Sequence, residues 1–293
     1  MRTSFKNDKK IKTQNTSNHT RSFDLSFDIH LEKLNENNFF SPCHFHKGVE
    51  IVYVEDGYMD FKIEGKDYNL KSEDCLIINS ETLHSFRIDS NANYYIIQIP
   101  LSAFDTIEQS DISLVEKPAK REALVLRNKL SEMIGYYQSP ACGDQAFFVS
   151  KLYELISLLI TDYQDKTKEK PDSDAAEVHH KIVKAVSYIE KHFKKDISVS
   201  DTASHISVTP EYFNRQFKKL AGVTFADHLI SLRVTSFYDE FIHTNKKTAD
   251  IAKKNGLTNY STLLREFKKV YGKTPDQIRN EVPTGRKMQM ELV

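Results

Sequence analysis

His44, His46 and Glu50 lie within seven residues of one another, Gly57 follows the glutamate after six more, and His84 comes later. Imidazole and carboxylate donors suit Fe(II), Mn(II) or Zn(II), and the same groups can instead hydrogen-bond a small organic ligand or face water at a pocket mouth. A second set of residues appears twice, downstream. Thr209, Glu211, Asn214, Arg215 and Lys218 are followed by Asn259, Tyr260, Ser261, Leu264, Arg265 and Lys268, with Arg and Lys at the same offset of 50. Arg can bridge O6 and N7 of guanine, Asn can bridge N6 and N7 of adenine, and lysines neutralise phosphates. No serine or cysteine nucleophile motif, phosphate-binding glycine loop or dinucleotide fingerprint accompanies them, and no residue is assigned as catalytic.

These groups need elements to position them. Over 49–99, apolar runs with period two (49–54, 58–63, 75–79, 94–99) alternate with turns such as Asp56-Gly57 and Glu64-Gly65, which suggests a sandwich or small barrel. Residues of like parity on one strand share a face, so both imidazoles and Glu50 are expected to point together into the barrel. Over 117–137 and 144–163 the period lengthens to that of a helix. Phe147, Leu152, Leu155 and Leu159 form part of an apolar face that must be buried on the barrel or on a second copy of the chain. The spacing His-x-His, three residues, Glu, six residues, Gly resembles the first motif of the cupin superfamily. His84 is the candidate for the second motif, whose usual Pro and Gly are replaced here.

The second half is one unit written twice. Residues 217–224 (FKKLAGVT) align with 267–274 (FKKVYGKT) at an offset of 50, and before the turn the offset falls to 49, pairing Ala203 with Ala252. Each copy reads as a short helix, a tight turn and a longer helix. Ser198 and Thr209 are caps in the first copy, Pro210 suits a first helical turn, and Gly256 and Asn259 supply turn and cap in the second. Between the copies, 225–242 reads as one helix about 27 Å long, at 1.5 Å per residue.

The segment 182–279 resembles the DNA-binding domain of the AraC/XylS family of bacterial transcription regulators. The resemblance rests on Asp250-Ile251-Ala252, Gly256-Leu257, Ser261, Leu263, Arg265, Phe267-Lys268-Lys269, Gly272, Thr274-Pro275 and Arg279. Departures are Phe237 and Glu240-Phe241 where small and Leu-Leu residues are usual, Leu257 and Leu263 for Phe, and Thr262 for Tyr. They bear on how the connecting helix packs. The resemblance implies a regulator, activating through RNA polymerase, with a sensor barrel ahead of the DNA reader.

Charge supports the division. The chain carries 41 basic and 41 acidic residues, yet residues 177–293 hold 20 Lys and Arg against 13 Asp and Glu, leaving an equal acidic excess upstream. A basic half in a neutral chain fits a polyanionic partner. The longest apolar runs fall far short of the roughly 20 residues of a membrane helix. Met1 to Phe23 lacks a signal-peptide core, and Cys43, Cys75 and Cys142 form neither a disulfide framework nor a zinc ribbon, so a reducing cytoplasm is expected. The expected fold class is α+β multidomain: tail 1–22, cupin-like β-barrel with two following helices 23–163, linker 164–176, two helix-turn-helix modules joined by a linker helix 177–282, and tail 283–293. The expected function is a DNA-binding regulator, a homodimer with double-stranded DNA and a small-molecule effector as partners, gated at His44, His46, Glu50 and His84. No cofactor is assigned, and a metal on those four residues is the lesser alternative. Competing readings are a metal-dependent cupin oxygenase or isomerase with an accessory basic domain, and a regulator whose barrel only dimerises.

Overall fold

The structure is a computed structural model that describes residues 30–36, 38–104, 113–138, 144–165 and 173–281. The tails 1–22 and 283–293, Cys142 and linker residues 166–172 lie outside these. Eight strands come first: β1 (His30–Glu36), β2 (Phe39–His44), β3 (Val49–Asp56), β4 (Tyr58–Ile63), β5 (Lys66–Lys71), β6 (Cys75–Ile78), β7 (His84–Ile88) and β8 (Ala92–Ile99). They form two four-stranded antiparallel sheets, ordered β1-β8-β3-β6 and β2-β7-β4-β5. The expected barrel is thus realised as two facing sheets, with no strand pairing between them among the described residues.

Alternation along β3 explains the layers. Val52 and Val54 point between the sheets with Met59, Phe61, Leu70, Ile78, Phe86 and Tyr94, while Val49 and Ile51 point the other way. That second face is covered by α1 (Lys120–Gln138) and α2 (Asp144–Asp162), through Leu126, Leu130, Met133, Phe148, Leu152, Leu155 and Leu159. Burial on both faces is why β3 reads as a nearly unbroken apolar run. Phe147, expected on the buried face, is instead 54% exposed and stacks on Tyr136, its neighbour Phe148 taking the inward position.

Six helices complete the described chain after α3 (Ser173–His192): α4 (Val199–His205), α5 (Pro210–Ala221), α6 (Phe225–His243), α7 (Thr248–Lys254), α8 (Tyr260–Tyr271) and α9 (Pro275–Glu281). α3 begins within the stretch expected as linker. Capping follows the sequence signals: Ser198 and Asp201 form a reciprocal capping box, and Thr209, Thr224 and Asn259 accept from Tyr212, Asp227 and Thr262. The two halves of α6 serve different cores. Phe225 and Leu229 join α3, α4 and α5, whereas Val234, Phe237 and Phe241 join α7 and α8. No helix among the described residues is long and apolar enough to cross a membrane.

Candidate functional site

The helical half is symmetric in detail. In both modules the turn closes with the same backbone bond, Val208 N–H to Ala203 O at 3.1 Å and Leu257 N–H to Ala252 O at 2.9 Å. Ser207 and Gly256 occupy equivalent left-handed positions, with φ of 56° and 76°. Ser207 tolerates that conformation, but position 256 has a second demand. A Cβ there would lie 2.8 Å from Arg233 Nε and 3.0 Å from Lys194 O, so only glycine fits. Arg233, from the middle of α6, donates to Phe193 O and Lys195 O at 2.7 Å each. One guanidinium therefore ties the end of α3 and the middle of α6 against the turn of the second module.

α5 and α8 are the longer helices of the two modules, ending at Gly222 and Gly272, whose N–H groups return to Lys218 O and Lys268 O. Each buries one face, through Phe213 and Phe217 or Leu263 and Phe267. On the other face Thr209, Glu211, Asn214, Arg215, Lys218, Asn259, Tyr260, Ser261, Arg265 and Lys268 are exposed, and Leu264 is half-buried. The Arg215 guanidinium lies over the Tyr212 ring at 5.5 Å, and Arg265 Nε is 2.8 Å from Glu266. Such a surface pair is weak and easily exchanged for another acceptor.

The departures in α6 have physical reasons. Phe237 stacks on Phe241 at 5.3 Å and meets Phe267 edge-on at 5.7 Å, filling the second core with aromatic rather than aliphatic volume. Glu240 accepts from Lys246 and Lys254, each at 2.9 Å, and from Asn255 at 3.3 Å. Burial raises its pKa, but these donors outweigh that and hold it at about 2.

His44, His46, Glu50 and His84 also come together, though not along one strand. His44 ends β2, His46 lies in the following turn, Glu50 is on β3 in the other sheet, and His84 opens β7. A register irregularity between Ser41 and His44 sets His44 opposite His84. Bulge and sheet crossing, rather than parity in a single strand, bring the groups to one end of the inter-sheet space. His46 Nε2 lies 3.1 Å and His84 Nε2 3.7 Å from Glu50 carboxylate oxygens, and Gln98 donates to Glu50 at 2.7 Å. The ring centroid of His84 is 4.2 Å from that of His44 and 5.0 Å from that of His46. Glu50 and His84 are buried, and His44 and His46 are half-buried. Burial lowers the pKa of His84 to about 3, His44 adding to the effect and Glu50 opposing it; His44 is likewise lowered by burial. Burial raises that of Glu50, but His46, His84 and Gln98 outweigh it, keeping the carboxylate ionised.

Sequence reasoning missed what lies over this cluster. Cys43 and Leu83 pack in the same core as Phe213, Phe217, Phe225 and Leu229, so the second sheet docks directly on the first helical module. His228 of α6 is 1% exposed, has no hydrogen-bond partner at either ring nitrogen, and is held neutral by burial, with His44 adding to the effect; its pKa is about 3. Beside it a cleft of about 310 Å³ opens between sheet and helices, lined by residues including Phe40, Lys62, Arg87, Asp227, Glu266 and Lys269. The signal available in the sequence was a polar His inside an otherwise helical apolar pattern.

Comparison with known proteins assigns both halves. Residues 28–156 match the model of the AraC-like ligand binding domain, and residues 202–281 match that of a helix-turn-helix domain. The chain thus carries an AraC-like ligand binding domain followed by a helix-turn-helix domain. An uncharacterized HTH-type transcriptional regulator of Staphylococcus aureus is 22% identical over 80% of this chain and 32% of its own length. The regulatory protein PocR of Salmonella typhimurium is 31% identical over 102 residues, 35% of this chain and 34% of its own. The chain thus spans about a third of the length of these relatives. Among solved structures, ToxT of Vibrio cholerae is similar with a TM-score of 0.47 and 14% identity, over 85% of this chain and 96% of the other.

Proposed function

We propose that the chain is a sequence-specific transcriptional regulator that reads two successive major-groove segments through α5 and α8. Its N-terminal domain gates that reading by binding a small effector. The observation that carries the proposal is the repeated module, with Arg215 and Arg265 at equivalent exposed positions on helices of equal length, each opened by a side-chain N-cap and closed by a left-handed glycine. A helix of about 27 Å between modules suits a spacing near one DNA turn, about 34 Å. Thr209, Glu211, Asn214 and Lys218, with Asn259, Tyr260, Ser261, Leu264 and Lys268, complete the DNA contact set. His44, His46, Glu50 and His84 form the effector site. The same reading makes the chain a cytoplasmic homodimer, an activator working through RNA polymerase rather than an enzyme, and keeps the domain limits given above.

Footprinting on the promoter adjoining its own gene tests this. Protection over two helical turns per protomer is expected. Arg215→Ala and Arg265→Ala are each expected to cost about 1–3 kcal/mol of specific affinity without loss of folding. Unchanged affinity in both variants removes the assignment.

A further inference from the structure

From Glu211 to Ala221 and from Ser261 to Tyr271 the two longer helices match in burial at every position except Asn214 and Leu264. The arginine that each exposes is nevertheless held differently. Arg215 has its guanidinium over the ring of Tyr212, one turn earlier, at 5.5 Å. At the offset of 50 the counterpart of Tyr212 is Thr262, which has no ring to offer. Arg265 instead donates from Nε to Glu266 Oε1 at 2.8 Å, and the counterpart of Glu266 is the neutral Gln216. Each copy thus has a support that the other lacks, one cation–π and one a charge-assisted hydrogen bond.

Glu266 is placed to hold rather than to follow. Its side chain is 16% exposed against 71% for Arg265. It stands in the wall of the cleft beneath the second sheet, with Lys269 Nζ 3.8 Å from its other carboxylate oxygen. The atom it engages matters. Nε–H is one of the five donors of a guanidinium, and a bond there leaves both Nη groups at the far edge of the planar fork. That edge can bridge O6 and N7 of a guanine end-on. A guanidinium already fixed at Nε also loses less rotamer freedom when it meets the base. A ring under Arg215 occupies the face of the fork and none of its N–H groups, so it sets the plane without choosing the edge.

We propose that Glu266 is a positioning residue that determines specificity, orienting Arg265 to read one guanine end-on in the segment met by α8. The first module lacks this device, so the two modules read their segments by different rules. The inference rests on the regulator reading above. It concerns orientation rather than stability, since an exposed ion pair of this kind adds little to folding.

Full-length chain is titrated by fluorescence anisotropy onto the footprinted operator, onto versions with each guanine under the second module replaced by adenine, and onto unrelated DNA, all at one salt concentration. Arg265→Ala identifies the guanine concerned by losing discrimination there. Glu266→Gln is expected to lower the guanine-over-adenine affinity ratio at that position by about two- to fivefold, the scale of one exposed ion pair. Affinity for unrelated DNA should stay level or rise, because an anion near the phosphates has gone, and this also shows that the variant is folded. In an Arg265→Ala background the same substitution should leave the ratio alone. Adding Thr262→Tyr to Glu266→Gln transplants the support of the first copy and should recover discrimination. An undiminished ratio in Glu266→Gln, an equal loss without Arg265, or a transplant that recovers nothing overturns the inference. Discrimination lost with Arg265→Ala but kept with Glu266→Gln sinks the inference alone, whereas discrimination kept in both sinks base reading by α8 as well.

Discussion

His228 illustrates how a single ring couples stability to pH. Its folded pKa of about 3 lies below the ordinary 6.5, because burial first and His44 second disfavour the imidazolium. Below pH 6.5 the unfolded chain takes up a proton that the folded chain refuses until about pH 3. The stabilising contribution is therefore full above 6.5 and lost progressively between those limits, at up to about 1.4 kcal/mol per pH unit. His228→Leu is expected to remove one such increment from the slope between pH 6 and 4, His44 and His84 retaining theirs. At pH 7 it should be neutral or stabilising, since an unpartnered buried ring is replaced by an apolar one. Urea titrations in chelator across that range measure both, and an unaltered slope contradicts the assignment. The sequence reading brought His44, His46 and Glu50 to one pocket by parity along a strand, whereas the structure brings them together with His84 through the irregularity between Ser41 and His44 and strands from two sheets, a route that spacing alone does not encode.

Helices in this chain announce themselves by caps and period, and the module boundaries follow from Ser198, Thr209, Thr224 and Asn259. The strands β2, β5 and β7 were harder to read, being short and carrying charge or histidine that breaks the apolar alternation. For α6, the sequence showed one helix over 225–242 whose composition departs from the family pattern, but not which cores its two halves join. Its division between two cores explains why: the C-terminal half is the aromatic centre of the second module. Phe237→Ala, at a side chain with no exposure, is expected to cost about 3–5 kcal/mol through lost burial and a cavity facing Phe241 and Phe267. Thermal unfolding reads this, and a loss below about 1 kcal/mol would show that the helix ends repack freely.

At the scale of the molecule the chain is a stack of layers: two helices, two sheets, then the helix-turn-helix domain. Contact between sheet and that domain is polar at its margins, with Glu64 3.0 Å from His179 Nε2 and Arg87 3.4 Å from Val270 O. At the β4–β5 turn it is close. Gly65 has φ +79°, and a Cβ there would stand 2.5 Å from Lys219 O at the end of α5. Gly65→Ala is expected to push the turn away and speed hydrogen exchange around Gly222, whose N–H bonds Lys218 O, while exchange within the sandwich stays as before. Unchanged exchange there would mean that the turn does not restrain α5.

What the sequence determined by itself was local and repeated: caps, periodicities, the duplicated module and the residues on its outward faces. Each follows from spacing along the chain, and spacing is what a helix or strand converts into direction. What tertiary structure alone decided was adjacency between distant segments. Glu50 meets His84, and Cys43 meets Phe217 and Leu229 in one core between sheet and helices, because covering one layer with the next buries apolar area that no single element could bury unaided. Spacing named His44, His46, Glu50 and His84 as candidates, and only the closed layers showed that α6 and His228 lie over them.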